Sequence, residues 1–174
     1  MSKSGAPKIR VGIIGASPDR GWAAQAHIPA LKSLSQDFEI TALSTSRRES
    51  ADAARDLFDV PLAFDDHREL VNSSAVDVVA VTVKVPHHLE LATAALSAGK
   101  AVYCEWPLGN GLQEAETLAA LGARVLDLEL PVPHAHTRFE QGELIDDEIR
   151  AGLADAVAAL AEEIRQGERA KVVA

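Results

Sequence analysis

Apolar residues along this chain alternate between two rhythms. Short runs of β-branched and aliphatic residues at Ile9–Ile14, Phe38–Leu43, Val60–Phe64, Val76–Val83, Ala101–Cys104 and Arg124–Leu130 predict six strands. The run VDVVAVTV at Val76–Val83 is apolar on both faces, the pattern of a central strand covered on both sides. Between the runs, apolar residues recur at helical spacing. Glu49–Leu57 would turn Ala51, Ala54, Leu57 and Phe58 to one side, and a brief helix through Val71 would be capped by Asp65 or Asp66. Pro86 suits the first position of a helix with Leu89, Ala92 and Leu96 at helical spacing, ended by Gly99 with Lys100 just beyond. Gln113–Leu121 predicts another helix, closed by Gly122. Gly21–Leu34 is broadly helical but contains Pro29, so it is either kinked at Ile28 or begins near Pro29. Leu144, Ile145, Ile149, Leu153, Val157, Leu160 and Ile164 predict a long C-terminal helix that packs one stripe against a sheet.

Strands alternating with helices across short loops imply an α/β fold with right-handed crossovers. The expected architecture is Rossmann-like and doubly wound, a mainly parallel six-stranded sheet with helices on both faces. Residues 1–121 would form a dinucleotide-binding domain, which a final strand and the long helix of 122–174 would complete. Ligands of such sheets bind beyond the carboxyl ends of the strands, which directs attention to four strand ends. At the first, Gly15 ends an apolar strand and a polar loop leads to Gly21 and a helix, the parts of a pyrophosphate-binding βαβ unit. The G-x-G-x-x-G spacing is not met. Ser17 and Arg20 stand at its second and third glycine positions, and Gly21 comes one residue late.

After the second strand the chain offers Ser44, Thr45, Ser46, Arg47 and Arg48, where an NAD-preferring site usually places a carboxylate. Hydroxyls and guanidinium groups would welcome a 2′-phosphate, so NADP is the expected cofactor, with NAD possible; the bland reading is a solvated loop with Ser46 as N-cap. The fourth strand leads into Val83, Lys84, His87 and His88. Adjacent histidines on a helix start point apart, and neither this pair nor His134 and His136 has an acidic or cysteine partner at ligand spacing, so no metal is expected.

Composition narrows the field. A net charge of -9 argues against nonspecific nucleic-acid or anionic-membrane binding, while leaving room for a local basic pocket. The single cysteine, Cys104, cannot form an internal disulfide, and its apolar flanks read as a buried structural thiol. With no signal peptide or 18-residue apolar run in the sequence, a cytoplasmic protein is expected.

The run ALSAGKAVYCEWP, Ala95–Pro107, reads A-L-x-A-G-K-x-V-x-C-E-x-P and resembles the Gfo/Idh/MocA oxidoreductase family. The resemblance covers roughly Lys8–Leu121. It implies an N-terminal Rossmann domain for NAD or NADP, a C-terminal α/β substrate domain, and oxidation or reduction of sugars and related polyols. Gly21-Trp22-Ala23, His27-x-Pro29-Ala30 and Val81–Glu90 are similar to one branch of that family. That branch includes a fungal galactose-regulon repressor, which binds NADP and a transcription activator and has no known catalytic role. Taken together, the expected cofactor-binding residues are Gly15, Ser17, Gly21, Trp22, Ser44, Ser46, Arg47, Arg48, Val83, Lys84, His88, Glu105 and Trp106.

Two departures from the family bear on function. Its Glu-Lys-Pro motif has Trp106 at the lysine position, and an indole cannot relay a proton at neutral pH. Lys84 is either a substitute or a solvated charge. The stretch after Gly122 has room for one strand and one helix rather than a substrate domain, and Pro131–Leu160 more weakly resembles the ending of flavodoxin-like NADPH-dependent FMN reductases. Three readings follow: an NADP-binding oxidoreductase acting on a small sugar-like substrate, a non-enzymatic dinucleotide sensor that binds a protein partner, or a truncated or chimeric domain. In the last, apolar surface left uncovered would favour homo-oligomers.

Overall fold

The computed structural model describes residues 7–18 and 21–121, and, further on, residues 139–140, 143–144, 146–149, 151–152, 155, 158–159, 161–162 and 164. The chain divides into two compact units, Met1–Arg124 and Val125–Ala174. The first holds a parallel five-stranded sheet of β1 (Ile9–Ile14), β2 (Phe38–Ser44), β3 (Leu62–Phe64), β4 (Val78–Val81) and β5 (Ala101–Cys104), in the order β3-β2-β1-β4-β5. This is the α/β, Rossmann-like architecture expected. The sixth strand expected at Arg124–Leu130 and most of the stretch likened to flavin reductases fall outside the described residues.

β1 is central because it can be buried on both sides. Val11, Ile13 and Ile14 are each less than 5% exposed, and β1 pairs with β2 on one edge and β4 on the other. All four residues of β4 are buried, as its two-faced apolar pattern requires. On one face Ile14, Ala42, Val79 and Val81 pack with Leu70 and Val71 of α3 (His67–Asn72) and Leu91 and Ala95 of α4 (His88–Ser97). α1 (Ile28–Ser33) and α2 (Arg48–Phe58) pack against β2 and β3 and contribute nothing to that cluster, as elements of the opposite face should. A Cβ on Gly12 would come within 2.9 Å of Leu70 Cδ2, so the helix α3 sits tight against β1.

Several local expectations are corrected. Leu57 is 60% exposed, because α2 buries Ala51, Ala54 and Phe58 and the next position of that stripe is already filled by the larger ring. α4 buries His88, Leu91, Ala92 and Ala95, a face rotated from the one drawn through Leu89 and Leu96, because a 3₁₀ turn at Val85–His87 precedes it. Pro86 is the second residue of that turn rather than the first of the α-helix. The capping expectation resolves to Asp66, whose carboxylate accepts from the Arg68 N–H at 2.8 Å. Ser46 is not the cap of α2; Arg47 occupies that position, without a side-chain capping bond. α5 spans Leu112–Ala120.

Within the second unit, Phe139–Glu140 (β6) and Glu143–Leu144 (β7) form an antiparallel pair. The described residues from 147 onward are helical, and the Asp146 carboxylate caps them by accepting from the Ile149 N–H. Leu144 therefore belongs to a strand rather than to the helical stripe, in which Ile149 and Ile164 are buried as expected. No helix among the described residues is long and apolar enough to cross a membrane.

The amino ends of β1 and β4 are joined by charge. Arg10 donates through Nε and Nη2, and through its backbone N–H, to the Asp77 carboxylate, whose side chain is 16% exposed. Burial opposes ionisation of Asp77, but the Arg10 bonds and charge outweigh it and hold the carboxyl below its ordinary value. A lowered carboxyl contributes stability that is complete above its unfolded-state value near pH ~4 and is lost as pH falls through the folded one. Asp77→Asn is expected to cost about 1–2 kcal/mol at pH 7 and to leave a shallower loss of stability below pH ~4, read by denaturant melts across pH.

Candidate functional site

The carboxyl ends of β1, β2, β4 and β5 converge where the strand order reverses, between β1 and β4. Gly15 occupies that point at φ +99, its N–H donating to Ser44 O at 2.8 Å. A Cβ here would lie 2.6 Å from Thr82 O and from Val83 Cγ1, so no side chain fits. Thr82 donates twice to Ile14 O, from its backbone N–H at 3.0 Å and its hydroxyl at 2.8 Å. The Ser17 N–H closes the turn on Gly15 O at 2.9 Å. Ser17 is not among the positive-φ residues, so a glycine there would add no conformational freedom that the loop uses. Gly21 differs again. It sits at φ +104 with open space where a Cβ would stand, and it leads to Trp22, which is 65% exposed.

The helix after this loop starts with a π-helical segment, Ala23–His27, and continues without interruption into α1. Pro29 lacks the N–H that an α-helix would use, and the wider turn before it bonds Ile28 N–H to Ala23 O instead. Both alternatives drawn from Pro29 are thus partly realised. The proline stands in the first turn of an α-helix, and the irregularity lies just before it.

The end of β2 is polar. Ser44 is 2% exposed, whereas Ser46, Arg47 and Arg48 are exposed. The two arginines are not equivalent. Arg48 donates to both Asp52 oxygens, and through Nη1 to Ala63 O at 3.0 Å, which ties it to α2 and β3. The Arg47 carbonyl accepts from the Thr45 hydroxyl and the Ala51 N–H, both at 3.0 Å, but its guanidinium makes no hydrogen bond or ion pair with a described residue.

Beyond β4, Lys84 is exposed and Val83 half-buried, while His88 is fully buried. The His88 ring lies with Nε2 2.9 Å from Val83 O and Nδ1 3.0 Å from Pro107 O, stapling the loop after β4 to the loop after β5. Its nitrogens are therefore occupied, and His87 points elsewhere, exposed. Beyond β5, Glu105 Oε1 meets His27 Nε2 at 2.7 Å, with each side chain 21% exposed. The Tyr103 ring stands edge-on to His27 at 5.5 Å. Burial, then Glu105 and Cys104, raise the Tyr103 phenol above its ordinary value; burial, then Glu105, push the Cys104 thiol up to about 11. Trp106 is 90% exposed and precedes a cis bond to Pro107.

His27 is the residue that sequence reasoning passed over. It lay inside the quoted His27-x-Pro29 piece, but its partner is 78 positions away, and no local pattern links the two. Thr82 was also passed over, being read only as part of a strand.

The profile of the Gfo/Idh/MocA family, an oxidoreductase family with an NAD-binding Rossmann fold, matches residues 9–125. The chain belongs to this family. It is 42% identical over 117 residues to the dehydrogenase aclE of Aspergillus oryzae, an alignment that covers 64% of this chain and 32% of that protein. It is 31% identical over 121 residues to the galactose/lactose metabolism regulatory protein GAL80 of Saccharomyces cerevisiae, covering 65% of this chain and 28% of that one. Among solved structures it resembles KijD10, a 3-ketoreductase of Actinomadura kijaniata crystallised with TDP-benzene and NADP, at 32% identity and a TM-score of 0.59. That match covers 67% of this chain and 35% of KijD10. The chain thus spans about a third of the length of these relatives.

The two glycines separate packing from conformation. Gly15→Ala is expected to cost about 3 kcal/mol, from steric overlap with β4 added to a strained φ, whereas Gly21→Ala should cost about 1 kcal/mol from φ alone. Thermal melts of the two variants check the ordering. Iodoacetamide should label Cys104 at pH 8 roughly a hundredfold more slowly than an unperturbed thiol, which mass spectrometry can follow.

Proposed function

We propose that this chain binds a dinucleotide across the carboxyl ends of β1, β2, β4 and β5, and that it prefers NADP to NAD. The observation that carries the reading is Gly15, pressed against Thr82 at the reversal of strand order, where open α/β sheets take their ligands. The backbone turn Gly15–Ser17 would receive the pyrophosphate, with Gly21 and Trp22 at the entry of the following helix. The preference for NADP rests on the end of β2, where Ser44 and Ser46 supply hydroxyls and no carboxylate stands in their place. Of the two arginines, Arg47 is the one available to a 2′-phosphate, since Arg48 is spent on Asp52 and Ala63. Val83, Lys84, His88, Glu105 and Trp106 would form the other half of the crevice. Among them His88 acts by holding the two loops together rather than by touching the ligand.

The reading of the whole protein is a sugar- or polyol-directed oxidoreductase of this family. A second reading, a dinucleotide-responsive regulator that engages another protein, is favoured by Trp106. That residue supplies an exposed apolar ring where the family motif has a proton-carrying lysine.

Titration of NADPH and NADH by nicotinamide fluorescence tests the cofactor assignment. The expected result is saturable binding with NADPH the tighter. Arg47→Ala should weaken NADPH about tenfold or more and leave NADH unchanged. Arg48→Ala should lower the melting temperature more than it alters the preference. Equal loss for both cofactors in Arg47→Ala would overturn the phosphate assignment.

A further inference from the structure

His27 has no part in the proposed contact set, yet it makes a side-chain bond from the helix after β1 to the loop after β5. It stands at the end of the π-helical segment, one turn after Trp22, so its backbone is placed by the loop that follows Gly15. Its Nε2 reaches Glu105, the first residue beyond β5 and the neighbour of Trp106. Apart from this bond, Glu105 is tied to the sheet by a long backbone bond, N–H to Val81 O at 3.4 Å. The π segment is the device that aims the ring. One residue more per turn shifts the helical register, and such segments recur at functional sites for that reason. The Tyr103 ring, edge-on at 5.5 Å, packs against the imidazole, and both partners of the bond keep about a fifth of their surface open.

We propose that His27 is a positioning residue: by donating from Nε2 to the Glu105 carboxylate it holds Glu105 and Trp106 in the place where they meet the nicotinamide half of the bound dinucleotide. This rests on the cofactor reading above and adds to it a division of labour. The end of β2 is one side of the strand-order reversal and the end of β5 is the other. A dinucleotide lying across the reversal therefore meets Arg47 with its adenosine half and Glu105 with its remaining half. Losing the His27–Glu105 bond should weaken the second contact without disturbing the first. A hydrogen bond to a charged group is of the size that governs about tenfold in affinity.

The test compares two probes by isothermal titration calorimetry. NADP⁺ carries both halves, and adenosine 2′,5′-bisphosphate carries the adenosine half alone. His27→Phe keeps a ring against Tyr103 and removes the donor, whereas His27→Gln keeps a donor. The expected result is that His27→Phe binds NADP⁺ about tenfold more weakly and the truncated probe unchanged, and that His27→Gln restores most of the loss. Glu105→Gln, which leaves Trp106 and the fold in place, should reproduce the selective loss. Equal weakening of both probes by His27→Phe would mean a general structural role, and unchanged binding of both would mean no role; either overturns the proposal. If the parent protein binds neither probe, the cofactor reading fails with it. Normal parent binding with no selective loss overturns the positioning role alone.

Discussion

The close approach of Gly15 to the end of β4 is the constraint on which the site depends. A peptide with no side chain lets the turn after β1 lie directly on Thr82 and Val83, while its N–H is held by Ser44 from the other side. Three strand ends are thereby locked by main-chain bonds and one hydroxyl at the point where the strand order reverses between β1 and β4. Because backbone groups do the holding, the loop tolerates Ser17 where the common fingerprint has glycine. The fingerprint describes one way of making this turn, and the turn here needs a positive φ only at Gly15 and Gly21 among the described residues.

Around that junction the two sides of the crevice differ in chemistry. The β2 side is polar, with a buried serine and an arginine, Arg47, whose side chain has no partner among the described residues, while its neighbour Arg48 serves packing between α2 and β3. The β5 side is aromatic and acidic, with His27 brought from another element against Tyr103 and Glu105, next to the exposed Trp106. His88, buried beneath, ties the loops of β4 and β5 and gives that side a fixed base. Charge at the opposite end of the sheet, Arg10 with Asp77, serves stability and lies away from the crevice.

Membership of an oxidoreductase family whose relatives include both a dehydrogenase and a metabolic regulatory protein places the question of function at residue 106. A lysine there could exchange a proton, whereas an exposed indole offers an apolar surface and a single donor. Under either proposed reading the same strand ends would hold the cofactor, and what differs is the use made of the β5 edge.

Much of this was determined by the sequence alone. Short apolar runs bounded by turn residues read as strands, so β1, β2 and β5 were placed to within a residue and β4 to within two at each end, and Gly15 marked the end of β1. The charge and hydroxyl pattern after β2, and Trp106 in place of a lysine, are likewise statements about side-chain chemistry that need no coordinates. Helix faces were less legible: Phe58 rather than Leu57 completes the buried stripe of α2, and the 3₁₀ turn before α4 shifts the register of its buried face. The tertiary structure alone decided which of Arg47 and Arg48 is uncommitted, that His88 is a staple, and that His27 meets Glu105. Each of those depends on a partner supplied by another element, up to 78 residues distant, and contact across such separations leaves no periodic trace along the chain.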